Sequence, residues 1–142
     1  MIPLSHLHPM LVHFPVALVT IGFLAQIASL IFKKEVCLSN TAFYLLVCGT
    51  LGALAAWLTG ALFTGEMAGS AGEIREYHEH AATVTLLVLL IASALSISMK
   101  VKGNTSINMQ RMVIVLYGLA TIAVGITGFL GGTLVFNYMM PL

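Results

Sequence analysis

Four long apolar stretches joined by short polar segments dominate this chain of 142 residues and decide what it can fold into. A bilayer core of about 30 Å is crossed by about 20 apolar helical residues. The stretches that reach this length are residues 9–32, 41–63, 80–99 and 111–133. Because the joints are short, neighbouring helices must run antiparallel. The sequence therefore predicts an all-α fold, a transmembrane up-down four-helix bundle that forms one domain over residues 1–142.

Composition excludes most soluble functions. Hydrophobic residues make up 59% of the chain and charged residues only 8%, whereas soluble domains carry about 25% charged residues. The formal net charge is +1, so no basic field exists that would attract a phosphate backbone. A cytosolic enzyme, a disordered chain and a nucleic-acid binder are therefore excluded, and the lipid bilayer is the expected surrounding.

The basic residues predict an orientation. Five of the six flank the first and third joints: Lys33, Lys34, Lys100, Lys102 and Arg111. Only Arg75 lies in the second joint, residues 64–79. Cytoplasmic loops carry the excess of Lys and Arg. We therefore expect both termini and the second joint to lie on the outer side of the membrane.

Every histidine falls at the outer end of the first or third span: His6, His8, His13, His78 and His80. On a helix, residues five apart differ by about 140° and residues two apart by about 160°, so two histidines of one span cannot face one point. A pair should therefore take one histidine from each span, and His13 and His80 are the deepest. Pro15 removes a backbone donor and predicts a kink or a late helix start in this segment.

Two weaker patterns accompany the histidines. Thr59-Gly60 and Thr127-Gly128 are 68 residues apart, and His13 and His80 are 67 apart, which indicates an internal duplication. Small residues also recur at steps of three and four, at Gly52, Ala56 and Gly60 and at Gly118, Thr121, Gly125, Gly128 and Gly132. This spacing is typical of close helix packing, and it could also make room for a flat macrocycle.

Two neutral imidazoles on facing helices are the simplest way to hold a b-type haem. With both axial positions filled by protein, no place is left for oxygen, so we expect an electron carrier rather than a catalyst. Arg75 is the candidate partner of the haem propionates, and Trp57 and Tyr77 lie near the same end. The chain has no CxxCH motif, which excludes covalent c-type haem.

Two alternatives remain open. Histidines at one face also suit copper or zinc, with Glu76 or Glu79 as an acidic ligand and nearby methionines as thioether ligands: Met1, Met10, Met67, Met139 and Met140. The chain could instead be a structural subunit of a larger complex, or a homo-oligomer, without a cofactor.

The histidine and glycine motifs together resemble those of the domain of unknown function 2231 family, small bacterial four-span membrane proteins. The matching positions are His8, Pro9, His13, Phe14 and Pro15, then Thr59 and Gly60, then His80, and finally Gly131, Gly132, Leu134, Val135 and Phe136. The family often has Tyr at the last of these positions. The resemblance implies a multi-pass protein of the bacterial inner membrane.

The resemblance also bears on function. Some members of the family are fused to Rieske iron–sulfur or cytochrome domains, which implies electron transfer. We expect exchange between the quinone pool or a membrane complex and a separate redox protein on the outer side. The resemblance favours His8, His13 and His80 over His6 and His78. It leaves His8 either as a neighbour of the ligands or as a replacement for one of them.

Overall fold

The computed structural model describes residues 7–103 and 106–138, which form five α-helices and no strand. These are α1 (Leu7–Leu11), α2 (His13–Ile31), α3 (Val36–Phe63), α4 (Ser70–Lys102) and α5 (Ile107–Tyr138). Helices α1 and α2 together make one apolar span, so the described chain contains four helical segments that are long and apolar enough to cross a membrane. The predicted all-α, four-span fold is confirmed.

The helices extend beyond the spans expected from hydropathy, most of all at the start of α4. This helix begins at Ser70, ten residues before the predicted span, and it has 33 residues. At 1.5 Å per residue it is about 50 Å long, well beyond a hydrocarbon core of about 30 Å. The expected outer loop therefore shrinks to residues 64–69, and Arg75 lies on a helix rather than in a loop.

The first span is irregular at Val12, between α1 and α2, although Val12 keeps right-handed helical backbone angles and its N–H donates to the His8 carbonyl at 3.1 Å. Pro15 has no backbone N–H, so the carbonyl of Leu11, four residues earlier, receives no helical hydrogen bond from it. Helix α1 ends at this same Leu11. The irregularity expected from Pro15 is therefore confined to the turn at Val12, and His8 lies on the first turns of the same span, Leu7–Ile31.

The four spans pair as two hairpins. Helix α2 packs mainly against α3, and α4 mainly against α5, while the hairpins meet through α3 with α4 and α2 with α5. Exchanging α2 for α4 and α3 for α5 leaves this pattern of contacts unchanged. The hairpins are thus equivalent in their packing, as a duplicated unit would be.

The buried positions give the register of the duplication. In α2 they are Pro15, Val19 and Gly22, and the residues 70 positions later, Thr85, Leu89 and Ala92, are buried in α4. In α3 they include Ala42, Leu46, Gly49 and Ala53, and the residues 71 positions later, Val113, Tyr117, Ala120 and Val124, are buried in α5. The offset of 67 or 68 suggested by His13 and His80 is therefore wrong by about one helical turn, because the matching Thr-Gly pairs do not occupy equivalent places.

Interhelical hydroxyl contacts add to this packing. Thr50 and Ser93 hydroxyls lie 2.7 Å apart between α3 and α4, and Thr85 and Thr127 hydroxyls lie 3.1 Å apart between α4 and α5. Lipid tails offer helices no hydrophobic drive toward one another, so hydrogen bonds and close contact must hold them together. Large apolar side chains on the outer surface of every span are exposed, among them Ile21, Leu51, Val84 and Ile122.

Tyr117 fills the centre of the bundle and is 1% exposed. Its ring lies against Phe23, with ring centroids 5.7 Å apart, and its hydroxyl donates to the carbonyl of Ala42 at 3.4 Å. A Cβ atom at Gly22 would overlap the Tyr117 hydroxyl and would lie 2.8 Å from Leu45 Cβ. The absence of a side chain at Gly22 is thus what allows α2, α3 and α5 to close around this ring.

We expect Gly22→Ala to destabilise the bundle by about 1–3 kcal/mol, the range for overpacking a filled core. The measurement is thermal unfolding of the purified protein in one detergent. Gly125→Ala is the matched control, because a Cβ at Gly125 would meet nothing within 4 Å. Equal unfolding temperatures for the two variants would contradict this account of Gly22.

Candidate functional site

His8 of α1 and His78 of α4 face each other at the end of the bundle that holds residues 64–69. Their ring centroids are 6.2 Å apart, and the ring planes are nearly perpendicular at 82°. Both side chains are half-buried. They stand 70 residues apart, the same offset that relates the buried residues of α2 and α4, so the two imidazoles occupy equivalent places in the two hairpins.

Each imidazole is fixed by a carbonyl of the helix beside it. His8 Nδ1 lies 2.8 Å from the Ala56 carbonyl oxygen on α3, and His78 Nδ1 lies 3.0 Å from that of Thr127 on α5. A carbonyl only accepts hydrogen bonds, so Nδ1 carries the proton in both rings. In a neutral ring, Nε2 then has a free lone pair, and neither Nε2 has a hydrogen-bond partner within the described residues.

A glycine makes room for each ring. A Cβ at Gly60 would lie 2.9 Å from His8 Cε1, and a Cβ at Gly131 would lie 3.1 Å from His78 Cε1. Both distances are shorter than ordinary contact between carbon atoms, which lies near 3.5–4.0 Å. Gly60 and Gly131 are 71 residues apart, as are the acceptors Ala56 and Thr127. The same arrangement, which we call the histidine cradle, therefore occurs twice. Each cradle consists of a backbone carbonyl and a glycine one helical turn later.

The structure places His13 and His80 differently from this pair. Both are exposed, and each ring bonds its own helix: His13 Nδ1 lies 2.7 Å from the carbonyl oxygen of Pro9, and His80 Nδ1 lies 2.8 Å from that of Glu76. The described contacts bring His8 and His78 together and show no contact between His13 and His80. The angular argument from the sequence explains this, since a residue about 140–160° from an inward-facing position points outward. His6 lies outside the described residues.

Three other residues singled out from the sequence lie on α3 or α4 and make contacts of their own. Arg75 is half-buried on α4, and its guanidinium is 2.7 Å from the Glu79 carboxylate. Trp57 donates from its indole nitrogen to the Thr83 hydroxyl at 3.0 Å, which ties α3 to α4. Tyr77 is exposed and lines an open surface cleft together with His80 and two glutamates.

Few further metal donors approach the pair. Within residues 7–103 and 106–138, no three His, Cys, Asp or Glu side chains converge as a group that could hold a metal ion. Both cysteines are free and exposed. Of the five methionines considered as copper ligands, Met10 and Met67 are described, and Met1, Met139 and Met140 lie outside the described residues. The geometry thus offers two imidazole nitrogens and not a four-ligand cage.

His78 is the histidine that lies against His8, whereas the sequence favours His80. Hydropathy placed the start of the third span at His80, which left His78 in a loop. The helix begins eight residues before His78, so this histidine is already oriented by α4. The signal that identifies it is the offset of 70–71 residues between equivalent positions, which links His8 to His78 and Gly60 to Gly131.

We expect Gly60→Ala to push the His8 ring off the Ala56 carbonyl, because the new methyl group would occupy the place of the ring edge. The measurement is the proton NMR signal of the His8 Nδ1–H, which lies downfield while the hydrogen bond is intact. In the variant this signal should disappear, or it should move toward the position of a ring N–H that is bonded to water. Gly132→Ala serves as the control, since nothing lies within 4 Å of a Cβ there. An unchanged His8 resonance in Gly60→Ala would show that the glycine does not shape the site.

Comparison with known proteins identifies the family. The family described as "Predicted membrane protein (DUF2231)" matches residues 4–141, nearly the whole chain. A search of curated proteins and a search of solved structures each find no match. The family match confirms the resemblance carried by the histidine and glycine motifs. The chain belongs to the domain of unknown function 2231 family and is a multi-pass membrane protein.

Proposed function

We propose that this protein binds one b-type haem through His8 and His78 and carries electrons at the outer side of a membrane. The observation that carries the proposal is the pair of opposed imidazoles, each with Nδ1–H bound to a backbone carbonyl. Metal-ligating histidines almost always donate their other ring N–H in this way, which fixes the tautomer and the ring orientation. The ligand pair is thus assigned to His8 and His78, in place of the His13 and His80 expected from the sequence.

The spacing of the rings supports a shared metal. Metal–nitrogen bonds to imidazole are about 2.0 Å long, so two histidines that would hold one metal ion must lie within several ångströms of each other. The centroids of His8 and His78 are 6.2 Å apart. This separation supports the choice of His8 and His78 as the residues that would hold the iron.

The number of donors supports haem over a zinc ion. Structural zinc sites need four protein ligands, and catalytic zinc sites need three. The described residues supply no group of three acidic, thiol or imidazole donors. Haem brings four nitrogen ligands of its own and takes one or two from the protein, so His8 and His78 would be enough to hold it.

Different residues would hold the haem iron, the histidine rings and the propionates. When bound, haem supplies one-electron chemistry at its iron. His8 and His78 would hold the iron, while Ala56 and Thr127 hold the rings. Burial and hydrogen bonding at the rings would set the reduction potential. Arg75, three residues before His78, remains the proposed cation for the propionates.

The membrane, the orientation and the redox partners are part of the proposed function. We propose the bacterial inner membrane, with both termini and residues 64–69 on the outer side, because the first and third joints hold five of the six Lys and Arg residues. Electrons would pass between the quinone pool or a membrane complex and a separate outer redox protein. The histidine pair lies at the same end as residues 64–69, which suits exchange with such a protein.

The test is a dithionite-reduced minus oxidised spectrum of protein expressed with haem available, with a pyridine haemochrome assay for stoichiometry. We expect about one b-type haem per chain. His8→Ala and His78→Ala should each lose most of the haem, because each removes one of the two residues that would hold the iron.

The matched controls are His13→Ala and His80→Ala, which remove exposed imidazoles from the same end of the same helices. Both should retain the wild-type spectrum. Loss of haem in these variants, with retention in His8→Ala and His78→Ala, would overturn the assignment. A flat wild-type spectrum from folded protein would refute the haem proposal, and copper or zinc found by elemental analysis would then support the alternative.

Orientation can be tested with a membrane-impermeant maleimide on intact cells. Gly65→Cys, in a Cys37→Ser, Cys48→Ala background, should be labelled from outside, because residue 65 is exposed in the 64–69 loop. Native Cys37, exposed at the opposite end and retained alone in Cys48→Ala, should react only after the membrane is permeabilised. The reverse pattern would contradict the proposed orientation.

A further inference from the structure

The two histidine cradles differ at one position. Thr59 Oγ1 lies 3.4 Å from His8 Nδ1, so His8 has a second hydrogen-bond partner besides the Ala56 carbonyl. The residue 71 positions after Thr59 is Leu130, which has no hydroxyl. His78 Nδ1 accordingly has only the Thr127 carbonyl among its described partners.

The direction of the hydrogen bond between Thr59 and His8 follows from the groups that accept the Thr59 hydroxyl proton. The Thr59 hydroxyl lies 2.9 Å from the carbonyl oxygen of Ala55 and 3.0 Å from that of Ala56, and it donates to them. Its remaining lone pairs are then free to accept from His8 Nδ1–H. Thr59 is thus both an acceptor for His8 and a donor to carbonyls beside it, which holds the hydroxyl in one orientation.

We propose that Thr59 is a positioning residue that makes the two imidazoles chemically unequal, by holding His8 more firmly than His78 in the Nδ1–H tautomer. Acceptors on Nδ1–H raise the basicity of the ring as a ligand through Nε2. His8 is therefore the stronger of the two rings as a metal ligand through Nε2. The consequence for a haem rests on the proposed function, whereas the tautomer difference belongs to the chain alone.

The experiment measures tautomers by nitrogen NMR of protein labelled with ¹⁵N in the histidine rings, prepared without haem. His8→Asn and His78→Asn assign the resonances. Thr59→Val, which keeps the shape and removes the hydroxyl, should lower the Nδ1–H to Nε2–H ratio of His8 by about twofold, the low end for one net hydrogen bond, because the same N–H also donates to Ala56 at 2.8 Å. Thr59→Ser should restore the wild-type ratio.

The duplication provides the reciprocal variant. Leu130→Thr introduces a hydroxyl at the equivalent place on α5, and it should raise the same ratio for His78 while leaving His8 unchanged. In haem-loaded protein, Thr59→Val should raise the midpoint potential and Leu130→Thr should lower it, because a more basic ligand stabilises the oxidised iron.

The outcomes separate the two proposals. An unchanged His8 tautomer ratio in Thr59→Val would overturn the role of Thr59, whether or not haem binds. A lowered ratio that Thr59→Ser restores would support it, even in protein that shows no haem spectrum. In that second case the proposed function would fail alone.

Discussion

Close helix approach at positions without large side chains is the constraint on which the rest of this structure depends. Helices in lipid gain nothing by hiding apolar surface from one another, so they associate through close contact and interhelical hydrogen bonds. Gly22 admits Tyr117 into the centre, Gly49 lies against Val19, and Gly60 and Gly131 receive the histidine rings. The last two are also the reason that an imidazole can reach a carbonyl of the adjacent helix.

The same constraint explains which small residues matter. In α3 the predicted stripe is used throughout, since Gly52 lies under Pro15, Ala56 accepts from His8 and Gly60 faces the same ring. In α5 only part of the stripe is used. Gly118 lies against Phe23, whereas Gly125 and Gly132 have nothing within 4 Å of a Cβ. Equal spacing in sequence therefore does not mean equal packing, because the stripe turns partly toward the membrane.

Hydropathy measures the length and apolar character of a segment, and this determines how much of the fold the sequence can predict. Long apolar runs reveal the spans and the all-α fold, and the histidine positions reveal the end of the bundle at which the imidazoles gather. Hydropathy does not show where a helix ends, because α4 continues as a helix through charged residues such as Glu73 and Arg75. Hydropathy consequently assigns His78 to a loop and favours the deeper His80. The histidine that faces inward is decided by helix rotation, which depends on the tertiary contacts of His78 with Thr127 and Gly131.

The duplication relates packing positions and not backbone continuity. Pro15 and Thr85 are equivalent and both buried, yet they act in opposite ways. Pro15 withholds a backbone donor, which leaves one turn at Val12 irregular between His8 and the rest of the span. Thr85 keeps its backbone donor and adds a hydroxyl contact with Thr127, and α4 runs unbroken past His78. That both imidazoles still meet means that their places are set by the neighbouring helices α3 and α5, through a carbonyl and a glycine each. The tautomer and orientation of the two rings are therefore set mainly by α3 and α5, the two helices that carry no histidine.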